Sequence, residues 1–151
     1  MSLFLKETRV ILELAVADKN GVLSQLAEVL AADMTGVRSK RVLEILWERE
    51  KLGSTGIGQG IAIPHGRVPG LSVPMAALAR SRNGVEFMAL DGQPVHLVMA
   101  LLLPTEASEA HLQILADMFR LLRQPNSRRR LMLAMDRESL YQAAVLDQDG
   151  L

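Results

Sequence analysis

Three histidines and one arginine carry most of the chemistry that this chain could offer. His65 follows Ile61-Ala62-Ile63-Pro64 and precedes Gly66, at the end of a run from Gly53 to Gly66 in which five of fourteen residues are glycine. Glycine admits positive φ and lets other groups approach the backbone closely. Pro64 fixes its own φ, has no N–H, and biases Ile63 towards an extended conformation. Such a frame presents the His65 imidazole in one orientation, suited to nucleophilic or acid–base work near neutral pH. The competing reading is a turn whose histidine is incidental.

His111 lies one or two turns into a helix, beside an apolar stripe of Leu112, Leu115, Phe119 and Leu122. It is either a satisfied core histidine or a donor at a helix N-terminus, where free N–H groups and the positive dipole end attract anions. Arg49 stands four residues after Ile45 and seven after Val42, in the last turn of its helix and just ahead of the glycine run. A guanidinium there is attracted to the negative end of the helix dipole, or it snorkels past the core edge. Gathered together, His65, His111 and Arg49 would surround one tetrahedral anion. Phosphoryl transfer needs that combination of nucleophile and charge-complementary donors. Within the glycine run, Thr55, Gly58 and Gly60 are expected to shape the loop around the phosphoryl group.

Other chemistries fare worse. With no cysteine there is no disulfide frame, thiolate zinc site or cysteine nucleophile. No pair of histidines has the short helical spacing of a metal motif, and neither a metal nor a cofactor is expected. His96 is most simply a strand residue. Gly56-x-Gly58-x-Gly60 follows a helix, not a strand, so it fails as a dinucleotide loop. Gly53 to Gly58 has the first spacing of a P-loop, but Gln59 and Gly60 replace the Lys and Ser/Thr. An Arg-His-Gly phosphatase motif is absent because Pro64 precedes His65. No nucleophile elbow supports Ser-His-Asp catalysis. Basic and acidic residues balance at 17 each, which leaves no footprint for nucleic acid or anionic membrane. The single basic run, Arg128-Arg129-Arg130, reads as a solvated helix start.

These residues need elements to hold them. A strand is expected over 9–15, then a helix capped by Asp18 and ending at Ala32, and a second helix over 38–50. Met75 to Arg80 reads as a strand, Asn83-Gly84 as a hairpin turn into 85–87, and Asp91-Gly92 as another turn. Val95 to Leu103 is near-continuously apolar, the mark of a strand covered on both faces. Thr105 or Ser108 caps a helix reaching about Arg123, and two short helices follow over 127–135 and 137–146. The 151 residues form one domain, an α/β sandwich in which helices flank a mixed β-sheet. The longest apolar run falls far short of the ~20 residues that span a bilayer, and no secretory leader is evident, so a cytoplasmic location is expected.

The segment Arg49-Glu50-Lys51-Leu52-Gly53-Ser54-Thr55-Gly56-Ile57-Gly58, continuing to Ile61-Ala62-Ile63-Pro64-His65-Gly66, closely resembles the active-site signature of enzyme IIA domains of the phosphoenolpyruvate-dependent phosphotransferase system. The similarity is to the mannitol/fructose/nitrogen-regulatory branch. His111-Leu112-x-x-Leu115-Ala116 resembles that family's second active-site segment, and Gln93-Pro94-Val95, Leu101–Pro104 and Leu140-Tyr141 are also similar. The resemblance implies that His65 accepts a phosphoryl group on Nε2 from a histidine phosphocarrier protein, while His111 and Arg49 neutralise the phosphoryl oxygens. It implies no metal or nucleotide at this step, and an apolar docking rim around a shallow site. Gln59 departs from an expected asparagine, and His96 stands where an acidic residue is common. Ser54 to Gly58 reads like the regulatory type, which binds targets such as potassium transport or sensor proteins according to phosphorylation state. The alternatives are a sugar-specific IIA that passes the group to a IIB cysteine, and a binding regulator that works without phosphorylation.

Overall fold

The computed structural model describes residues 3–149, with side chains described through residue 146. In chain order the elements are β1 (Leu5–Ile11), α1 (Lys19–Ala31), α2 (Ser39–Glu50), β2 (Gly56–Gly58), β3 (Ile61–Ala62), β4 (His65–Val68), β5 (Met75–Val85), β6 (Val95–Pro104), α3 (Glu109–Arg123), α4 (Pro125–Leu133) and α5 (Arg137–Asp149). The strands form one mixed sheet in the order β1-β5-β6-β3-β2, with β4 also paired to β6. β5 runs antiparallel to β6, whereas β1 is parallel to β5, and β3 and β4 are parallel to β6. This is the α/β sandwich expected from the sequence.

β6 shows why the sandwich has two cores. Side chains alternate across a strand, and here Val98, Ala100 and Leu102 join the cluster with α1 and α2. Leu97, Met99, Leu101 and Leu103 join the other cluster with α3, α4 and α5. A strand buried on both faces must be apolar throughout, which accounts for the long run read in the sequence. On β5, Ala77 and Ala79 give α1 a close seat, while Leu78 faces the opposite core.

Three expectations shift. β1 begins four residues earlier than expected, and residues 12–15 leave regular pairing, although Leu14 N–H still donates to the Arg80 carbonyl at 2.8 Å. Asn83-Gly84 does not turn a hairpin. β5 runs through it, with an irregularity between Arg80 and Val85 that takes up Gly84 at φ +87°. A glycine that supplies positive φ serves a bulge as readily as a turn. The chain reverses instead near Asp91-Gly92, as expected, where Gly92 N–H donates to the Ala89 carbonyl at 2.9 Å.

The caps are as chemistry favours. Asp18 accepts from Gly21 N–H at 2.8 Å to start α1, and Ser108, not Thr105, caps α3. Arg128 does more than solvate a helix start: one Nη1 donates to the carbonyls of Leu122 and Arg123, closing the end of α3.

Candidate functional site

β3 and β4 are two pieces of one interrupted strand along β6, and the interruption is Ile63-Pro64. Ile61 lies opposite Leu97, and His65 opposite Leu101. Between them the Pro64 carbonyl still accepts from Leu101 N–H at 3.0 Å. Ile63 sends its N–H to the Thr55 carbonyl at 3.0 Å and turns its own carbonyl to the His65 ring. The distance from that oxygen to His65 Nδ1 is 2.8 Å. A carbonyl accepts only, so Nδ1 carries the proton and Nε2 keeps its lone pair. The residues around Pro64 thus set the tautomer of the His65 imidazole.

α2 lies directly over β4. A Cβ added to Gly66 would sit 2.5 Å from Ile45 Cγ2, so only a glycine lets helix and strand close to this separation. That closeness puts Arg49 and His65 in one cleft of about 410 Å³, whose walls include Ile45, Leu52, Arg67, Leu103 and Leu112. Arg49 Nη1 donates to the Gly53 carbonyl at 2.8 Å, which holds an exposed guanidinium near the imidazole. Arg67, on β4 itself, donates to the Thr105 carbonyl at 2.9 Å. Leu52 is 84% exposed and Leu112 44%, so two apolar side chains stand free at the cleft.

Burial holds the His65 imidazole below its ordinary pKa. The hydrogen bond to Ile63 and the nearby Glu50 charge act upwards, and the Arg49 charge acts downwards. The outcome is an imidazole kept neutral, and therefore nucleophilic, to lower pH than a free one.

His111 sits at the third position of α3. Its N–H donates to Ser108 Oγ at 3.2 Å, and its ring Nδ1 receives the Ser108 N–H at 3.4 Å. This box fixes the tautomer opposite to that of His65: Nδ1 accepts, so Nε2 bears the proton and can only donate. The ring is half-buried at the helix start. The neighbouring Leu112, not His111, lines the cleft.

The remaining expected residues fall elsewhere. Thr55 is buried and bonded to the Glu50 carboxylate through both its N–H and its hydroxyl. Gly58 (φ +101°) and Gly60 (φ +76°) turn the β2–β3 hairpin. Gly58 abuts Asp91 and Gly60 abuts His96. The hairpin pairs with β6 near Leu97, roughly 13 Å of strand from the Leu101 level of His65. Neither glycine lines the cleft. Sequence reasoning missed Glu50, Lys19 and Arg67. Glu50 carried no signal beyond adjacency to Arg49, because only the fold shows that its carboxylate points inward.

No group of three or more His, Cys, Asp or Glu side chains among the described residues is placed to hold a metal. No helix among them is long and apolar enough to cross a membrane. A larger depression of about 670 Å³ lies beside Ala116, Phe119 and Arg123 and offers no nucleophile.

Comparison with known proteins finds relatives over most of the chain. The nitrogen regulatory protein of Pseudomonas aeruginosa is 42% identical over 132 residues, 87% of this chain and 86% of that one. A fructose-specific EIIA component of Haloferax volcanii is 37% identical over 130 residues, 85% and 84% of the two chains. The crystal structure of the nitrogen regulatory protein IIA-Ntr from Neisseria meningitidis superposes with a TM-score of 0.87 at 34% identity, over 94% of this chain and 97% of that one. Residues 3–145 match the model of the family described as "Phosphoenolpyruvate-dependent sugar phosphotransferase system, EIIA 2", and the chain belongs to that family.

Proposed function

We propose that His65 is the phosphoryl acceptor of a carrier and regulator, charged by a histidine phosphocarrier protein. The observation that carries this reading is the 2.8 Å bond from Nδ1 to the Ile63 carbonyl, which leaves Nε2 unprotonated in a cleft shared with Arg49. In the step, the Nε2 lone pair attacks phosphorus as the donor's N–P bond breaks. The donor imidazole keeps that electron pair, so one P–N bond replaces another without added water, metal or nucleotide. Arg49 offers paired N–H groups to the equatorial oxygens. His111, outside the cleft wall at the start of α3 and next to the cleft-lining Leu112, supplies an Nε2–H donor once the phosphoryl group is bound, and Thr55 keeps the loop in place. Leu52 and Leu112 form the apolar rim against which the donor protein docks.

The phosphorylation state then sets which partner binds. A phosphohistidine adds charge and acceptor oxygens at the rim, recruiting one surface and repelling another. The nitrogen regulatory relatives support the regulatory reading; in it, this single domain acts in the cytoplasm on nitrogen- or potassium-linked targets. The fructose-specific relative supports a second reading, in which a IIB cysteine receives the group for sugar uptake. Incubation with labelled phosphoenolpyruvate, enzyme I and carrier protein is expected to label the chain on one histidine. His65→Ala is expected to abolish the label. Persistent labelling of that variant overturns the assignment, and target binding by it equal to wild type would favour regulation without phosphorylation.

A further inference from the structure

Directly after Arg49 in the sequence, Glu50 points the other way. Its side chain is fully buried, in contact with Lys19 Nζ at 3.5 Å. Both carboxylate oxygens accept the Thr55 N–H, at 2.8 and 3.1 Å, and Oε1 also receives the Thr55 hydroxyl. Lys19 is itself 4.8 Å above the Phe87 ring, which is fully buried. A charge in such a place is costly unless paired and hydrogen-bonded. The charge here is paired with Lys19 of α1 and hydrogen-bonded to a loop residue, Thr55.

What Thr55 touches next makes the pairing useful. Its carbonyl accepts Ile63 N–H at 3.0 Å, and the Ile63 carbonyl in turn holds His65 Nδ1 at 2.8 Å. In the other direction, the turn between Glu50 and Thr55 carries Gly53, whose N–H donates to the Glu50 carbonyl at 3.1 Å and whose own carbonyl accepts from Arg49. The Glu50 carboxylate therefore anchors the support of the His65 ring, while the main-chain carbonyl of the same residue holds Gly53, the acceptor of Arg49. Resting on the reading of His65 as acceptor, we propose that Glu50 is a positioning residue for the transfer: through Thr55 its carboxylate fixes the His65 ring by way of Ile63. Its negative charge also opposes that of Arg49 at the imidazole, which Glu48 and Arg67 share the cleft with.

Glu50→Gln tests this, since it keeps the size but removes the charge and one acceptor oxygen. Expected are a single-turnover rate lower by roughly tenfold, the usual cost of losing a group that orients a reacting one, and unchanged affinity for the carrier protein. Nitrogen-15 spectra of the His65 ring should move from one Nδ1–H tautomer to a mixture while circular dichroism and thermal unfolding stay those of the wild type, which separates lost positioning from a loosened fold. Should Glu50→Gln fail to fold by circular dichroism, Thr55→Val carries the same expectations, and Thr55→Ser should recover most of the lost rate. A folded variant with wild-type rate and a single tautomer overturns the proposal, as does Thr55→Val transferring as fast as Thr55→Ser. If the wild type itself takes no label on His65, the acceptor reading falls first, which separates the two failures.

Discussion

The glycine-rich run doubles back on itself, so that its two termini meet in a near end beside α2 and its hairpin tip forms a far end, and the two are built by opposite means. At the near end, Thr55 is tied to Ile63 and to a buried carboxylate, and the backbone directs two side chains, Arg49 and His65, into one cleft. At the far end, the β2–β3 hairpin is held from outside. Asp91 accepts from Gln59 N–H at 3.3 Å, and Arg128 reaches Gln59 Oε1 at 3.4 Å. Gln59 has a left-handed φ of +59°, unusual for a residue other than glycine or asparagine. Polar bonding at the near end serves orientation, whereas at the far end it compensates a strained turn. Glycine content alone does not distinguish them.

Three experiments sharpen that contrast. The largest effect is expected at the near end. Arg49→Ala should slow single-turnover transfer by on the order of 10²–10³, as loss of one preorganised donor does, with little change in folding. A near-normal rate would remove Arg49 from the mechanism. Next is the proton affinity of His65. Because the folded imidazole titrates below the ordinary value near ~6.5, its NMR midpoint should lie lower than that of His65 in the unfolded chain. The sign for stability follows. As pH falls below ~6.5 the unfolded chain binds the proton first, so this group's contribution, fully present above that pH, is lost down to the folded midpoint. Stability that rose on acidification through this window in wild type but not in His65→Gln would contradict the burial argument. The smallest effect belongs to the far end. Gln59→Gly relieves the left-handed conformation and should stabilise the fold by up to ~1 kcal/mol, reduced by the lost contact with Arg128. Transfer should stay within about twofold of wild type. A tenfold slowing would show that the hairpin shapes the site after all.

Much of this was legible in one dimension because some residues have only one economical explanation. Pro64 before His65, the unbroken apolar run of β6 and the cap at Asp18 each declare a local geometry, and the sheet and helices followed. Asn83-Gly84 misled because the same positive φ serves a bulge and a turn. Thr55 was noticed for its place in the run, but its tie to Glu50 depends on where α2 ends relative to the loop. Gly58 and Gly60 were grouped with His65 by sequence distance, although the strand rise separates them along β6. Gly66 stood behind the histidine in the reading, yet the methyl group of Ile45 is what makes it necessary.

The Ile63 carbonyl has a chemical consequence of its own. An imidazole tethered through one nitrogen can be modified on the other side only, so any phosphoramidate formed here has a single regiochemistry. That choice is inherited from a gap in the sheet rather than from surface side chains. On the proposed reading, partners docking at this rim can differ in shape and charge without altering which isomer is made or consumed.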